Sequence, residues 1–143
     1  MAKGFPDYFG QSIWPKYGTM VADPLNVPVV GIANTVITQR TGQGVLTYFD
    51  AVIHSLVPLD TSEIHVDIDG QIFQEDAMES FHSWGHHVGS RLIVVARYAS
   101  IATGYYILEL SHDVPFHTSI NIHLLTFIGE NLTVNSRAEY YLV

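Results

Sequence analysis

The chain has no cysteine. Disulfides and thiolate metal sites are excluded, and folding does not depend on an oxidising compartment. Positive charge is scarce: six Lys plus Arg stand against fourteen Asp plus Glu, a net charge of −8 with histidine neutral. No basic cluster interrupts that field. It repels phosphate, which argues against nucleic acid as a partner and against docking on an anionic membrane. Long hydrophobic runs are also missing. The densest, Leu92 to Ala96, is far too short to span a bilayer. The opening Met1-Ala2-Lys3-Gly4-Phe5-Pro6 lacks the apolar segment of a secretory signal, so Asn131-Leu132-Thr133 is read as a chance sequon. Charged residues make up only 14% of the chain. What is there instead is apolar: 48% of residues are hydrophobic and the mean hydropathy is +0.20. A chain of 143 residues is one domain that buries roughly two-thirds of its unfolded surface. Either the core is large or part of the surface is apolar, and a contiguous apolar surface marks an interface.

Residues 1–27 differ from the rest. Pro6, Pro15 and Pro24 alternate with Gly4, Gly10 and Gly18, which forbids a long helix and interrupts strands. Between them stand Phe5, Tyr8, Phe9, Trp14 and Tyr17, too many aromatics for an unattached tail. The expectation is an extended arm that lies on a surface through these five residues, either its own domain's or a neighbouring subunit's.

Residues 28–143 read as strand after strand. Val29 to Thr38 is rich in β-branched residues, and Gly42-Gln43-Gly44 marks a turn. Val45 to Val57 is a long, bent strand with apolar residues on both faces. Ser62 to Asp69 alternates, with Ile64, Val66 and Ile68 on one side and Glu63, His65, Asp67 and Asp69 on the other. Asp69-Gly70 is a hairpin dipeptide leading into Gln71-Ile72-Phe73. Glu75 to Trp84 carries the only helical stripe. Leu92 to Tyr98, Tyr105 to Leu110, Phe116 to Phe127 and Leu132 to Val143 complete about eight strands. The pattern predicts an all-β protein, an antiparallel jelly-roll-like sandwich with at most one short helix.

Eight histidines invite a search for chemistry. His82 and His86 have a zinc-ligand spacing, but Gly85 breaks the helix between them and no HExxH pattern is present. His65, His117 and His123 fall on polar strand faces. They are either solvated or part of a pH-sensitive interface. Asp60, Glu63, Asp67 and Asp69 make an acidic patch without the oxygen ligands of a calcium loop. There is no nucleophile elbow and no glycine-rich phosphate loop. The expectation is a protein with no catalytic, cofactor-binding or metal-binding residues. Tyr105-Tyr106 and Tyr140-Tyr141 each place one ring inward and one outward.

The opening, Lys3 to Gly10 and Ser12 to Thr19, resembles the arms of small virion structural proteins of tailed bacteriophages. The body is similar to them in its long strand Gly44 to Val57, its Ile64 to Gly70 hairpin, its Phe116 to Ile122 strand and its aromatic closing strand Ala138 to Val143. The resemblance implies a non-enzymatic capsid decoration, neck or tail subunit, assembled in host cytoplasm and found in the virion. Its partners would be copies of itself and other virion proteins. Two other functions remain open. One is a carbohydrate- or receptor-binding sandwich with Trp84 or outward tyrosines as its platform. The other is a cupin-type metalloenzyme built on His65, His117 and His123.

Overall fold

The computed structural model of the chain describes residues 19–55, 62–83, 92–127 and 131–143. Among these residues ten strands and one helix follow in order: β1 Thr19–Val30, β2 Ala33–Thr41, β3 Gly44–Ser55, β4 Glu63–Ile68, β5 Gln71–Ala77, α1 Met78–Ser83, β6 Val94–Ser100, β7 Tyr105–Leu110, β8 Val114–Phe116, β9 Ser119–Thr126 and β10 Asn131–Leu142. Every pairing is antiparallel.

The pairings are nested. β1 pairs with β10, β2 with β9, β3 with β7, and β4 with β5. Successive pairs go to alternate sheets, giving the orders β1-β10-β3-β7-β6 and β2-β9-β4-β5, with β8 attached to β3. The chain is one long hairpin rolled into two sheets, which is a jelly roll. We call the sheet containing β1 the first sheet and the other the second.

The core fills the space between them. Leu46, Phe49, Ala51, Ile53, Val134, Ala138 and Tyr140 of the first sheet face Ile64, Val66, Ile68, Ile120, Ile122 and Leu124 of the second. Phe116 meets Tyr140 edge-on, with ring centroids 6.0 Å apart. The mixed faces expected of the third strand have a specific cause. A bulge opposite Glu139 and Tyr140 shifts its inward positions from Leu46 to Phe49, Ala51 and Ile53.

Four boundaries differ from those read in the sequence. The single strand expected over Val29 to Thr38 is two strands in two sheets. Gly31, at φ 71°, turns the chain between them, a backbone position that β-branched neighbours cannot take. Phe116 to Phe127 is likewise divided, because the Asp69 carboxylate accepts hydrogen bonds from the backbone N–H groups of His117, Thr118 and Ser119 and holds that segment out of the ladder. The helix starts at Met78 instead of Glu75, since Gln74 to Ala77 stay paired with β4. β1 also takes in residues 19–27 of the stretch assigned to the arm, through continuous pairing with β10 from Thr19 to Val30. Pro24 and Pro28 fit there because β1 is an edge strand, where a missing N–H on the open side leaves no ladder bond unmade.

Candidate functional site

Alternation places the polar residues of β4 and β9 on the outer face of the second sheet, away from the core. The register sets His65 directly opposite His123, and Asp67 opposite Asn121. The two imidazoles meet with ring centroids 5.0 Å apart. His123 places Nε2 3.3 Å from Asp67 Oδ2, and its Nδ1 lies 2.8 Å from Asn34 Oδ1 on β2. His65 Nε2 lies 2.8 Å from Glu63 Oε1 and 3.4 Å from Glu75 Oε2. Although it points away from the core, His65 is only 8% exposed. The ligand atoms of His65, Asp67 and His123 all lie within 4.8 Å of one another, as do those of Glu63, His65 and Glu75. Asp67 Oδ1 and Asn121 Oδ1 are buried with no hydrogen-bond partner among the described residues.

The outer face of the first sheet differs in chemistry. A bulge at Arg97 turns its guanidinium between Asp50 and Glu109, at 3.3 and 3.4 Å. These three residues line a groove of about 270 Å³ together with Tyr48 and His112. Tyr48, Tyr98 and Tyr105 are exposed there, and Tyr105 stacks on His54 at 4.1 Å.

The expected site residues divide into three groups. Phe5, Tyr8, Phe9, Trp14 and Tyr17 lie outside the described residues, as do Asp60, Trp84, His86, His87 and the side chain of His82. His65 and His123 converge, but His117 is exposed on the segment between β8 and β9 and takes no part in their cluster. Asp67 and Asp69 do not share a strand face. β4 ends at Ile68, and Asp69 sits in the turn at φ 53°. There its Oδ1 accepts hydrogen bonds from backbone N–H groups, Thr118 first among them, and this holds the carboxyl down at about 2. The shared acidic strand face expected of Asp67 and Asp69 is therefore not formed. Each tyrosine pair does put one ring in and one out: Tyr106 and Tyr140 are buried, while Tyr105 is exposed and Tyr141 half-buried. Asn34, Asn121 and Glu75 are absent from the sequence reading. The pairing of β2 with β9 brings Asn34 to the histidines, and the register of β4 against β9 and β5 brings Asn121 and Glu75.

No protein-family model and no curated protein matches this sequence. The fold is shared with a solved structure. A chain in the structure of infectious bursal disease virus Gx strain superposes with a TM-score of 0.50 at 9% identity, over 88% of this chain and 32% of that one. A chain of the infectious bursal disease virus VP2 subviral particle is also similar, with a TM-score of 0.42 and 10% identity, over 88% of this chain and 33% of that one. The present chain thus spans about a third of the length of these neighbours. The likeness lies in the sandwich itself.

Proposed function

We propose that the chain is a non-enzymatic structural subunit of a virus particle, acting by self-association and through contacts of its N-terminal arm. The observation that carries this reading is the nested jelly roll, which 88% of the chain shares with a chain of a virus structure. Two features of the molecule support it. Apolar side chains stay outside the core, including Ile72 and Phe73 on the edge strand β5 at 60% and 58% exposure. Neighbouring aromatics on the outer face of the first sheet suit a subunit contact. The finer role, a decoration, neck or tail protein of a tailed phage within the virion, rests on the sequence resemblance in the arm and body. Phe5, Tyr8, Phe9, Trp14 and Tyr17 would then seat the arm on a neighbour.

The test is the solution mass of the purified chain, by light scattering, with and without residues 1–18. The cut ends at Gly18 because removal through Val27 would also delete most of β1. An oligomer that dissociates on truncation is the expected result. A chain that is monomeric in both forms, and that adds to no particle, would count decisively against the reading.

A second reading is a glycan- or receptor-binding module. It is favoured by the groove beside Tyr48, where Asp50 and Glu109 supply acceptors and Arg97 a donor. A glycan array answers it, with Tyr48→Ala as the control that should abolish any hit.

A further inference from the structure

The cluster on the outer face of the second sheet is one that a cation completes when its imidazoles are neutral. His123 Nδ1 faces the amide oxygen of Asn34 at 2.8 Å, and so carries the ring proton as donor to it. In the neutral ring that leaves the lone pair of Nε2 aimed at a carboxylate oxygen, Asp67 Oδ2, 3.3 Å away. Two lone pairs at that distance repel unless a positive charge stands between them. His65 repeats the pattern. Its Nε2 donates to Glu63 Oε1 at 2.8 Å, which leaves Nδ1 without a proton in the neutral ring. A histidine whose second nitrogen is held by a carboxylate or an amide oxygen is the arrangement that orients imidazole toward a metal. Independently, Asp67 Oδ1 and Asn121 Oδ1 are buried acceptors with no donor among the described residues, directly opposite each other in the β4–β9 register. Buried acceptors without a donor are rare in folded proteins, and a bound ion is one of the groups that satisfies them.

We infer that His65, Asp67 and His123 form a binding site for one divalent transition metal ion of the zinc type. The distances fit that ion. Zinc–nitrogen and zinc–oxygen bonds of about 2.0–2.1 Å set neighbouring tetrahedral ligands about 3.3 Å apart. The observed separation of His123 Nε2 and Asp67 Oδ2 is 3.3 Å. All three ligand atoms lie within 4.8 Å of one another on the paired strands β4 and β9. The donor set selects the class of metal. Two imidazoles and one carboxylate suit zinc, nickel or copper, whereas calcium requires six or more oxygens. Asn34 and Glu63 are positioning residues that fix the two rings, and Asn121 brings a further oxygen next to Asp67. The ion would tie the two central strands of the second sheet together on its solvent side. The inference is independent of the particle role proposed above.

The test uses the full, untagged chain, stripped with chelator and titrated with cobalt(II) chloride and with zinc chloride. One equivalent of cobalt should develop the visible bands of a tetrahedral site, and zinc should bleach them. His123→Gln and Asp67→Asn should each weaken zinc binding by at least about tenfold. Asn34→Ala, which touches no metal, should weaken it by about 10- to 100-fold. His117→Gln should bind as the parent does, and circular dichroism of each metal-free variant checks that it still folds. Failure of the parent to bind cobalt or zinc overturns the inference. So does binding that survives His123→Gln and Asn34→Ala but disappears in the double variant His82→Gln, His86→Gln, which would place the ion elsewhere.

Discussion

Tyr140 and Thr38 lie on different sheets, and their hydroxyls meet across the core at 2.6 Å. Thr38 also donates to Asp23, which pairs with Arg40 at 2.7 Å, and the Arg40 guanidinium lies 5.2 Å from the centre of the Tyr140 ring. Burial pushes the Tyr140 phenol up to about 12, with the nearby Asp23 charge adding to the effect while Thr38 and Arg40 oppose it. An unfolded tyrosine ionises near 10, so in alkali the unfolded chain gives up this proton first. The stability Tyr140 contributes is complete below pH 10 and is lost as pH rises through 12. On the order of 2–3 kcal/mol should disappear over that window. Tyr140→Phe should flatten the alkaline limb of a urea-melt series, at a cost near neutrality of about 1 kcal/mol for the lost hydrogen bond. An unchanged alkaline limb in the variant would show that another group controls it. The sequence made it legible that one of Tyr140 and Tyr141 points inward, but not which of the two. The partner was not legible, because Thr38 is 102 positions away and meets it only across two sheets.

Between elements, the open end of the sandwich is fastened by one side chain. Gln74 of β5 is buried, donates to the backbone carbonyl of Val94 and accepts from its N–H, each at 2.8 Å. The amide acts as a one-residue strand partner, joining the second sheet to β6 of the first. Gln74→Leu removes both bonds and leaves two buried backbone groups unmet, which should destabilise the fold by about 2–4 kcal/mol. Chemical denaturation measures this, and a change below about 0.5 kcal/mol would refute the role given to Gln74. A second fastening lies at the turn between β6 and β7. Gly104 has φ 72°, and a Cβ there would stand 1.9 Å from the carbonyl oxygen of Ser55. Strand positions were readable where local pattern decides them, as in the alternation of Ile64, Val66 and Ile68 and the Asp69-Gly70 turn with both residues at positive φ. They were misread where a distant group decides, as with the Asp69 carboxylate that separates β8 from β9. The site followed the same rule. The polar faces of His65 and His123 were legible one strand at a time, but their meeting depends on a pairing between segments more than fifty residues apart.

At the scale of the whole molecule, the charge of −8 opposes association of copies. The proposed assembly must then be held by apolar and aromatic contacts, and screening should favour it. Raising sodium chloride from about 0.01 M to about 0.15 M shortens the Debye length from about 30 Å to about 8 Å. The weight-average mass of the chain should rise over that range at fixed protein concentration. A mass that falls instead would mean that ion pairs hold the subunits, contrary to the apolar contacts proposed here.

The placement of β10 has a consequence in time. This strand lies between β1 and β3, and among the described residues β1 has no other neighbour in its sheet. As the chain leaves the ribosome, β1 therefore waits without a partner through the synthesis of some hundred residues. β3 meanwhile exposes one open side to whatever strand arrives first. Completion of the first sheet therefore waits for β10, and it requires closing the long loop between Val30 and Asn131. A nascent chain arrested before Asn131 is thus the form in which this protein is most exposed to pairing with the wrong partner.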